Sequence, residues 1–203
     1  MSAMAEISNP KVLPYRSART RQEWTAQIGM FLFLGSWAMM FAALFFVYGG
    51  LRARAQVWPP VEYPPLPLLH GLLNTVVVAF SSAALIYAVR ALHAHASRRF
   101  VGGLVAATVL GLCFLGSQVV LWSNLYGEGL RLTSGTYGAT LYGFTALHAA
   151  HVLVGVGALG FVVVRAMSGV YTPARCLGLR LWSLYWHFVG AVWLFLFVTI
   201  FVL

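Results

Sequence analysis

Acidic residues are almost absent from this chain. Its 203 residues include four of them, Glu6, Glu23, Glu62 and Glu128, and none lies inside a long apolar run. A proton or cation path through a bilayer normally needs an ionisable group within the membrane, most often a carboxylate or a histidine. Carboxylate-based transport is therefore not expected of this protein.

Cysteine is equally scarce, since Cys113 and Cys176 are the only two in the sequence. A small fold held together by disulfides needs several pairs, and structural zinc sites usually draw on several cysteines. The sequence therefore predicts neither a disulfide framework nor a cysteine-rich metal site.

Long hydrophobic runs dominate what is present. The chain is 61% hydrophobic and 8% charged, which is too few charges to cover a water-soluble surface. Apolar runs of 18 or more residues are typical of transmembrane helices. The sequence predicts an all-α integral membrane bundle of five transmembrane helices, at about 24-51, 66-90, 100-125, 137-164 and 180-203.

The basic residues predict how this bundle is oriented. Residues 1-23 are interpreted as a basic cytoplasmic tail. The five spans place ten Lys and Arg residues on one side of the membrane and three on the other. The three are Arg52, Arg54 and Arg131. Because cytoplasmic loops carry the excess of Lys and Arg, the N-terminus is expected in the cytoplasm and the C-terminus outside.

The net charge of +9 would suggest nucleic acid as a partner in a soluble chain. Here the basic residues lie at the ends of predicted membrane helices, on the side assigned to the cytoplasmic leaflet. Anionic phospholipid is the predicted partner, because juxtamembrane cations are attracted to that leaflet, and no nucleic acid is expected.

Proline is concentrated in one loop. Five prolines lie between Trp58 and Pro67, which predicts an extended and rigid connection between the first two spans. Apart from Pro67 at an end, the five spans contain none. A small membrane transporter, an alternative function, usually has discontinuous helices around a central site, and these spans carry no such interruption.

Polar and small residues within the spans predict helix packing. Asn74, Ser81 and Ser82 share one face of the second span, where such a stripe usually finds its hydrogen bonds across a helix interface. Gly103 and Gly111, with Ala107 between them, recur at every fourth position of the third span, a spacing that lets two backbones approach closely. Neither pattern identifies a chemistry.

Three histidines within the spans raise the alternative of a haem or metal protein. His148 and His151 share a face of the fourth span, and His187 lies in the fifth. With the span ends level, His151 and His187 would differ in depth by roughly 10 Å at 1.5 Å per residue, too far to share one metal. Hydrogen bonds to Ser, Thr, Tyr or lipid phosphate are the favoured interpretation. No bound metal and no catalytic residue are predicted in this chain.

Seven sequence blocks, taken in order, resemble subunit III of the haem-copper oxidases in its five-helix bacterial form. The likeness runs from about Gly29 to Leu203. The blocks are Gly29-Met30-Phe31-Leu32-Phe33-Leu34-Gly35-Ser36, Trp58-Pro59-Pro60, Leu72-Leu73-Asn74-Thr75, Tyr137-Gly138, Leu147-His148-Ala149-Ala150-His151-Val152, Tyr185-Trp186-His187-Phe188-Val189 and Val192-Trp193-Leu194-Phe195.

Three departures from the family pattern concern carboxylates. Where the family has a glutamate in the first span, this chain has Trp37; a second family glutamate corresponds to Leu121, and the family aspartate after Trp-His-Phe-Val corresponds to Gly190. Reactivity toward carbodiimides and support of proton uptake, which the family acids would imply, are not carried over to this chain.

The resemblance implies an accessory, non-catalytic subunit of a bacterial cytoplasmic-membrane oxidase that reduces oxygen to water. It would pack on subunit I, beside subunit II, protect subunit I during turnover, and hold phospholipid in a cleft between its first two spans and the other three. Haem and copper would belong to the partner subunits, and cytochrome c would donate electrons to the complex. A quinol oxidase and a nitric-oxide-reductase-associated homologue are the alternative partners.

The resemblance also suggests roles for individual residues. Arg165 matches an arginine that contacts a lipid phosphate in relatives, although a positive-inside anchor is an equal alternative. A lipid role is expected for four residues, and a structural role for the family-signature residues. The first set is Trp37, His148, His151 and Arg165; the second is Trp58, Pro59, Pro60, Asn74, Thr75, Trp186 and His187.

Overall fold

The computed structural model describes residues 15-60, 63 and 66-202, and among them the side chains from residue 21 onward. This part of the chain forms five long helices and contains no strand, only an isolated bridge between Thr172 and Arg175. The helices are α1 (Tyr15–Arg54), α2 (Leu68–His93), α3 (Ser97–Gly127), α4 (Gly135–Met167) and α5 (Leu177–Phe197), which continues as a π-helical turn (Val198–Val202). All five are long and apolar enough to cross a membrane, which confirms the predicted five-span, all-α fold.

Part of the predicted N-terminal tail is helical. Helix α1 begins at Tyr15, so residues 15-23 are helical and continuous with the first span. The remainder of the predicted tail, residues 1-14, lies outside the described residues.

Three of the connections leave their helices through the same turn. After α3, Gly129 has a φ of 89°, its N–H donates to Tyr126 O, and the N–H of Leu130 donates to Leu125 O. Gly169 ends α4 in the same way with a φ of 69°. A left-handed residue that closes the last carbonyls of a helix is usually glycine, yet at the end of α2 this position is His95, with a φ of 55°.

Helices α2 and α3 pack closely through small residues. A Cβ added to Gly103 would lie 2.9 Å from Ala88 Cβ and 3.0 Å from Ala84 O, both on α2. One turn further along α3, Ala107 O accepts a hydrogen bond from Ser81 Oγ at 2.9 Å. The small-residue spacing of the third span and Ser81 of the polar stripe both lie at a helix interface, as predicted, and the structure shows that the two meet there.

The grouping of the helices differs from the expected one. Helix α2 packs against α3 and α5, whereas α1 packs against α5 and α4. The expected lipid cleft between the first two spans and the other three therefore does not match the packing, because α2 is part of the same contact surface as α3 and α5. The family resemblance indicated which helices are present but not which helices pack against each other.

Candidate functional site

Trp186 of α5 connects to three other helices. Its Nε1 donates a hydrogen bond to Ser81 Oγ of α2 at 3.1 Å. Its ring covers two glycines, since a Cβ added to Gly111 of α3 or to Gly155 of α4 would lie 2.6 or 2.9 Å from the indole. A buried indole N–H needs an acceptor, and an aromatic ring of this size needs space. These contacts agree with the structural role expected of Trp186, which stays a prediction.

A second indole ties α5 to α2. Trp193 is fully buried, and its Nε1 donates to Thr75 Oγ1 at 3.0 Å, while Thr75 donates to Gly71 O of its own helix at 2.9 Å. The neighbouring Asn74 is 1% exposed, and its Nδ2 has no partner among the described residues. Sequence reasoning picked Asn74 and Thr75 as structural residues but did not find the bond to Trp193. A buried indole and a buried hydroxyl on two spans are the signal that could have suggested it.

His148 of α4 is enclosed by aromatic rings. It is 2% exposed, with ring centroids 5.6 Å from Trp193, 5.8 Å from Phe114 and 6.4 Å from Phe41. Neither ring nitrogen has a hydrogen-bond partner among the described residues. Both the expected hydroxyl partner and the expected contact with lipid are therefore wrong for His148, because its side chain is sealed inside the bundle.

His151 lies one turn along the same face and is covered by α1. Trp37 meets its ring edge to face, with centroids 3.7 Å apart. Its Nδ1 is 2.6 Å from Leu147 O, its main-chain oxygen accepts from Tyr185 Oη at 3.0 Å, and its Nε2 has no partner in the described part of the chain. At 5% exposure the imidazole is not a lipid-facing group, so the lipid role expected for it is also wrong. Trp37, which is half-buried, separates it from the surface.

The depth argument for His187 does not hold. Tyr185 reaches the main chain of His151 and Trp186 reaches Gly155, so α5 brings His187 much closer in depth to His151 than the expected 10 Å. His187 follows Trp186 by about 100° around the helix, away from the direction of that contact. Among residues 15-60, 63 and 66-202, no three His, Cys, Asp or Glu side chains form a group that could hold a metal ion.

Comparison with known proteins gives the same result as the sequence blocks. The family model described as cytochrome c oxidase subunit III matches residues 18–203. The chain belongs to the cytochrome c oxidase subunit III family. It is 32% identical over 179 residues to cytochrome c oxidase subunit 3 of Pan troglodytes and 34% identical over 179 residues to that of Marchantia polymorpha, covering 85% of this chain in both cases. The identity to the Rhizopus stolonifer protein is 36% over 182 residues.

These relatives are longer than this chain. The matched region covers 67% of the Pan troglodytes protein, 66% of the Marchantia polymorpha protein and 63% of the Rhizopus stolonifer protein. The chain thus spans about two thirds of the relatives that it matches, and 86% of it is covered in the Rhizopus stolonifer comparison.

Of the three positions at which the resemblance expects family carboxylates, Leu121 is buried, and Trp37 and Gly190 are partly buried. Trp37 lies against His151. Leu121 is 2% exposed in an apolar cluster that also contains Tyr137 and Leu141. Gly190 lines a small cavity beside His148. Each replacement is apolar, so these positions present no titratable group to the interior of the bundle.

The loop signature packs on the end of the bundle opposite the α2–α3 turn. Trp58 Nε1 donates to Tyr48 Oη at 3.1 Å, and the Trp58 ring meets Tyr137 edge to face with centroids 5.3 Å apart. The peptide bond between Trp58 and Pro59 is cis, and residues 56-59 bend rather than extend as predicted. Much of the proline-rich remainder, including Pro64 and Pro65, lies outside the described residues. Trp58 therefore anchors the first loop to α1 and α4.

The other end of the bundle is rich in arginine. We call it the arginine-rich end and define it by Arg90, Arg98, Arg99, Arg165, Arg175 and Arg180. Arg165 is exposed, and its guanidinium lies over the Phe161 ring at 5.7 Å from the centroid. Nearby, a cavity of about 750 Å³ opens between the α2–α3 turn and the α4–α5 loop, with Arg98, His95 and Tyr171 among its lining residues.

Proposed function

We propose that this chain is the accessory, non-catalytic subunit III of a haem-copper oxidase in a bacterial cytoplasmic membrane, and that it packs on subunit I of a complex that also contains subunit II. The complex would reduce oxygen to water with electrons from cytochrome c, and haem and copper would be held by the other subunits. The observation that carries the proposal is the extent of the family match, over residues 18–203.

The chemistry of the buried site supports a structural rather than a redox role. Two of the buried polar side chains, Ser81 and Thr145, take part in hydrogen bonds between helices, as in the bond from Trp186 to Ser81. The surrounding rings are packed edge to face around His148 and His151. Such contacts fix the positions of the spans, which is what a subunit that protects subunit I during turnover requires.

We also propose that the arginine-rich end faces the cytoplasm and binds anionic phospholipid. Apart from Glu23 near the start of α1, the described residues at this end carry no carboxylate to balance its arginines. The cavity there is lined by the cationic Arg98 and by the apolar Phe100, Val101 and Met167, which suits a headgroup with the start of an acyl chain. Tyr171 also lines this cavity; burial raises the pKa of its hydroxyl, which is a neutral donor in any case.

For Arg165 and Trp37 we propose the lipid contact that was expected from the sequence. The Arg165 guanidinium offers a fork of donors that matches a phosphate, and its place at the end of α4 suits the headgroup level. Trp37 is half-buried on α1, so part of its indole faces the surroundings of the bundle. Both residues would contact lipid at the protein surface and not within a cleft between the first two spans and the other three.

The test is to cross-link the tagged chain in its native membranes, purify it in mild detergent and identify the captured proteins by mass spectrometry. We expect a haem-copper catalytic subunit and its copper-bearing companion, whose identity also separates a cytochrome c oxidase from a quinol oxidase or a nitric-oxide-reductase homologue. Recovery of the chain alone, despite efficient cross-linking, would contradict the proposal and return the small transporter to consideration.

A further inference from the structure

A small cavity lies at the centre of the bundle, where α2, α3, α4 and α5 meet. Its wall includes Ser81, Gly111, Phe114, His148, Trp186 and Gly190. The centre of a water molecule has about 10 Å³ in which to move there. This is about the least space that holds one water, roughly 10-15 Å³ by that measure, and it leaves no room for a larger ligand.

The wall of this cavity carries polar groups whose bonding is incomplete. His148 is 2% exposed, and neither its Nδ1 nor its Nε2 has a partner among the described residues. A neutral imidazole has one donor and one acceptor to satisfy, and leaving both unpaired in the interior is costly. Ser81 Oγ donates to Ala107 O and accepts from Trp186 Nε1, which leaves one lone pair on its oxygen.

We propose that this cavity binds one water molecule between the His148 imidazole and the Ser81 hydroxyl. The water donates one hydrogen bond to the remaining lone pair of Ser81. It makes a second hydrogen bond with a ring nitrogen of His148, which donates or accepts according to the tautomer. Buried waters make two to four such bonds to groups that lack other partners, whereas cavities that stay dry are lined by apolar groups alone. The water completes a junction of α2, α4 and α5 that already includes Trp186.

This site does not depend on membership in an oxidase, because every group in it belongs to this chain. Its size also sets its selectivity, since a lipid chain or a metal complex exceeds the space. The proposal can therefore fail while the proposed function holds, and the reverse is equally true.

Gly190→Ala, measured with and without His148, tests whether the cavity holds a water. The added Cβ would lie 3.2 Å from Val78 Cγ1, in the wall of the cavity, and 3.7 Å from Ser82 Oγ. If a water is bound, the methyl displaces it, leaves His148 unpaired and lowers the melting temperature by about 2 °C or more. If the cavity is dry, the methyl either fills it or crowds Val78, and its effect does not depend on His148. Gly116→Ala, with nothing within 4 Å, controls for the intrinsic effect of alanine in a helix.

A second variant separates loss of water from simple crowding. His148→Leu removes the group that needs the water, so Gly190→Ala added to it should be neutral or stabilising. An equal loss in both backgrounds would mean that crowding against Val78 explains the effect, and would overturn the proposal.

A direct measurement completes the test. In bilayers containing the chain labelled with ¹⁵N-histidine, solid-state NMR transfer from water should reach a protonated imidazole nitrogen that disappears in His148→Leu. The same transfer should be lost in Gly190→Ala. Absence of any transfer to His148 in the unmodified protein would refute the bound water.

Discussion

The Trp37 indole meets the His151 imidazole edge to face, with centroids 3.7 Å apart and an interplanar angle of 84°. The contact is one of several aromatic contacts that join α1 to α4 and α5. Position 37 is also the place at which the family resemblance expects a glutamate. An apolar ring thus takes the position of an acid and shields a buried histidine.

Replacing this ring by an acid tests whether position 37 can be reached from the lipid. In Trp37→Glu we expect labelling by a lipid-soluble carbodiimide, because a half-buried carboxyl facing hydrocarbon is held protonated. Labelling would be read by mass spectrometry of the folded, assembled variant. In Trp37→Gln the new side chain has the shape of glutamate without the acid, so this variant should remain unlabelled. If neither variant is labelled, lipid does not reach this position.

The glycine under Trp186 should not tolerate a methyl group. In Gly111→Ala the new Cβ would lie 2.6 Å from the indole and 2.8 Å from Val156 Cγ2. Overpacking of this kind costs about 1-3 kcal/mol, so the free energy of unfolding should fall by that amount. The measurement is unfolding in mixed micelles with denaturing detergent.

Gly116→Ala is the matched control for this change. Gly116 lies on the same helix and has nothing within 4 Å of an added Cβ. Its stability should be unchanged or slightly raised, since alanine favours helix by about 1 kcal/mol over glycine. Equal effects of the two substitutions would contradict the close approach of Trp186 to α3.

The bond from Trp193 to Thr75 should make a measurable contribution to stability. Thr75→Val keeps the shape of the side chain but leaves the buried indole N–H without its acceptor. Interhelical hydrogen bonds in membrane proteins average about 0.6 kcal/mol and reach about 1.7, so we expect a loss within that range. Thr108→Val removes a bond to Leu104 O of its own helix and no bond to another helix, so it should cost less. The reverse order would contradict the tie between α2 and α5.

Removing the guanidinium of Arg165 tests the lipid proposal. Arg165→Gln should reduce the amount of anionic phospholipid that copurifies with the chain, because the fork of donors and the charge are both lost. Arg180→Gln changes another exposed arginine of the arginine-rich end and serves as the control. Lipid would be quantified by mass spectrometry after purification in mild detergent. An equal reduction in both variants would indicate a general charge effect and not a site.

The sequence predicted individual helices better than their arrangement. Five spans, the close approach at Gly103 and Ala107, and the hydrogen bond of the Ser81 stripe follow from composition and spacing, and all are found. The grouping of α1 with α4 and α5 was not predicted. In membrane helices, apolar side chains cover lipid-facing and protein-facing surfaces alike, so hydrophobicity does not identify the contact face.

The buried site was predicted in its residues but not in its contacts. Spacing placed His148 and His151 on one face of a helix, as the structure does. Their surroundings depend on how far α5 is shifted along α4, which sets Tyr185 and Trp186 beside them. Span ends alone fix such a shift to within several residues at best, because helices of different length and tilt cross the same bilayer. That is why the expected depth of His187 was wrong.

The most direct test of the central claim is a metal and haem inventory of the purified complex before and after this chain is removed. The tagged complex would be isolated in mild detergent, analysed for haem and copper, and then stripped of this chain with a harsher detergent. We expect haem, copper and initial oxygen reduction to stay with the remaining subunits, and activity to decay faster during turnover. Haem or copper that leaves with this chain, in proportion to its amount, would contradict the account of an accessory subunit.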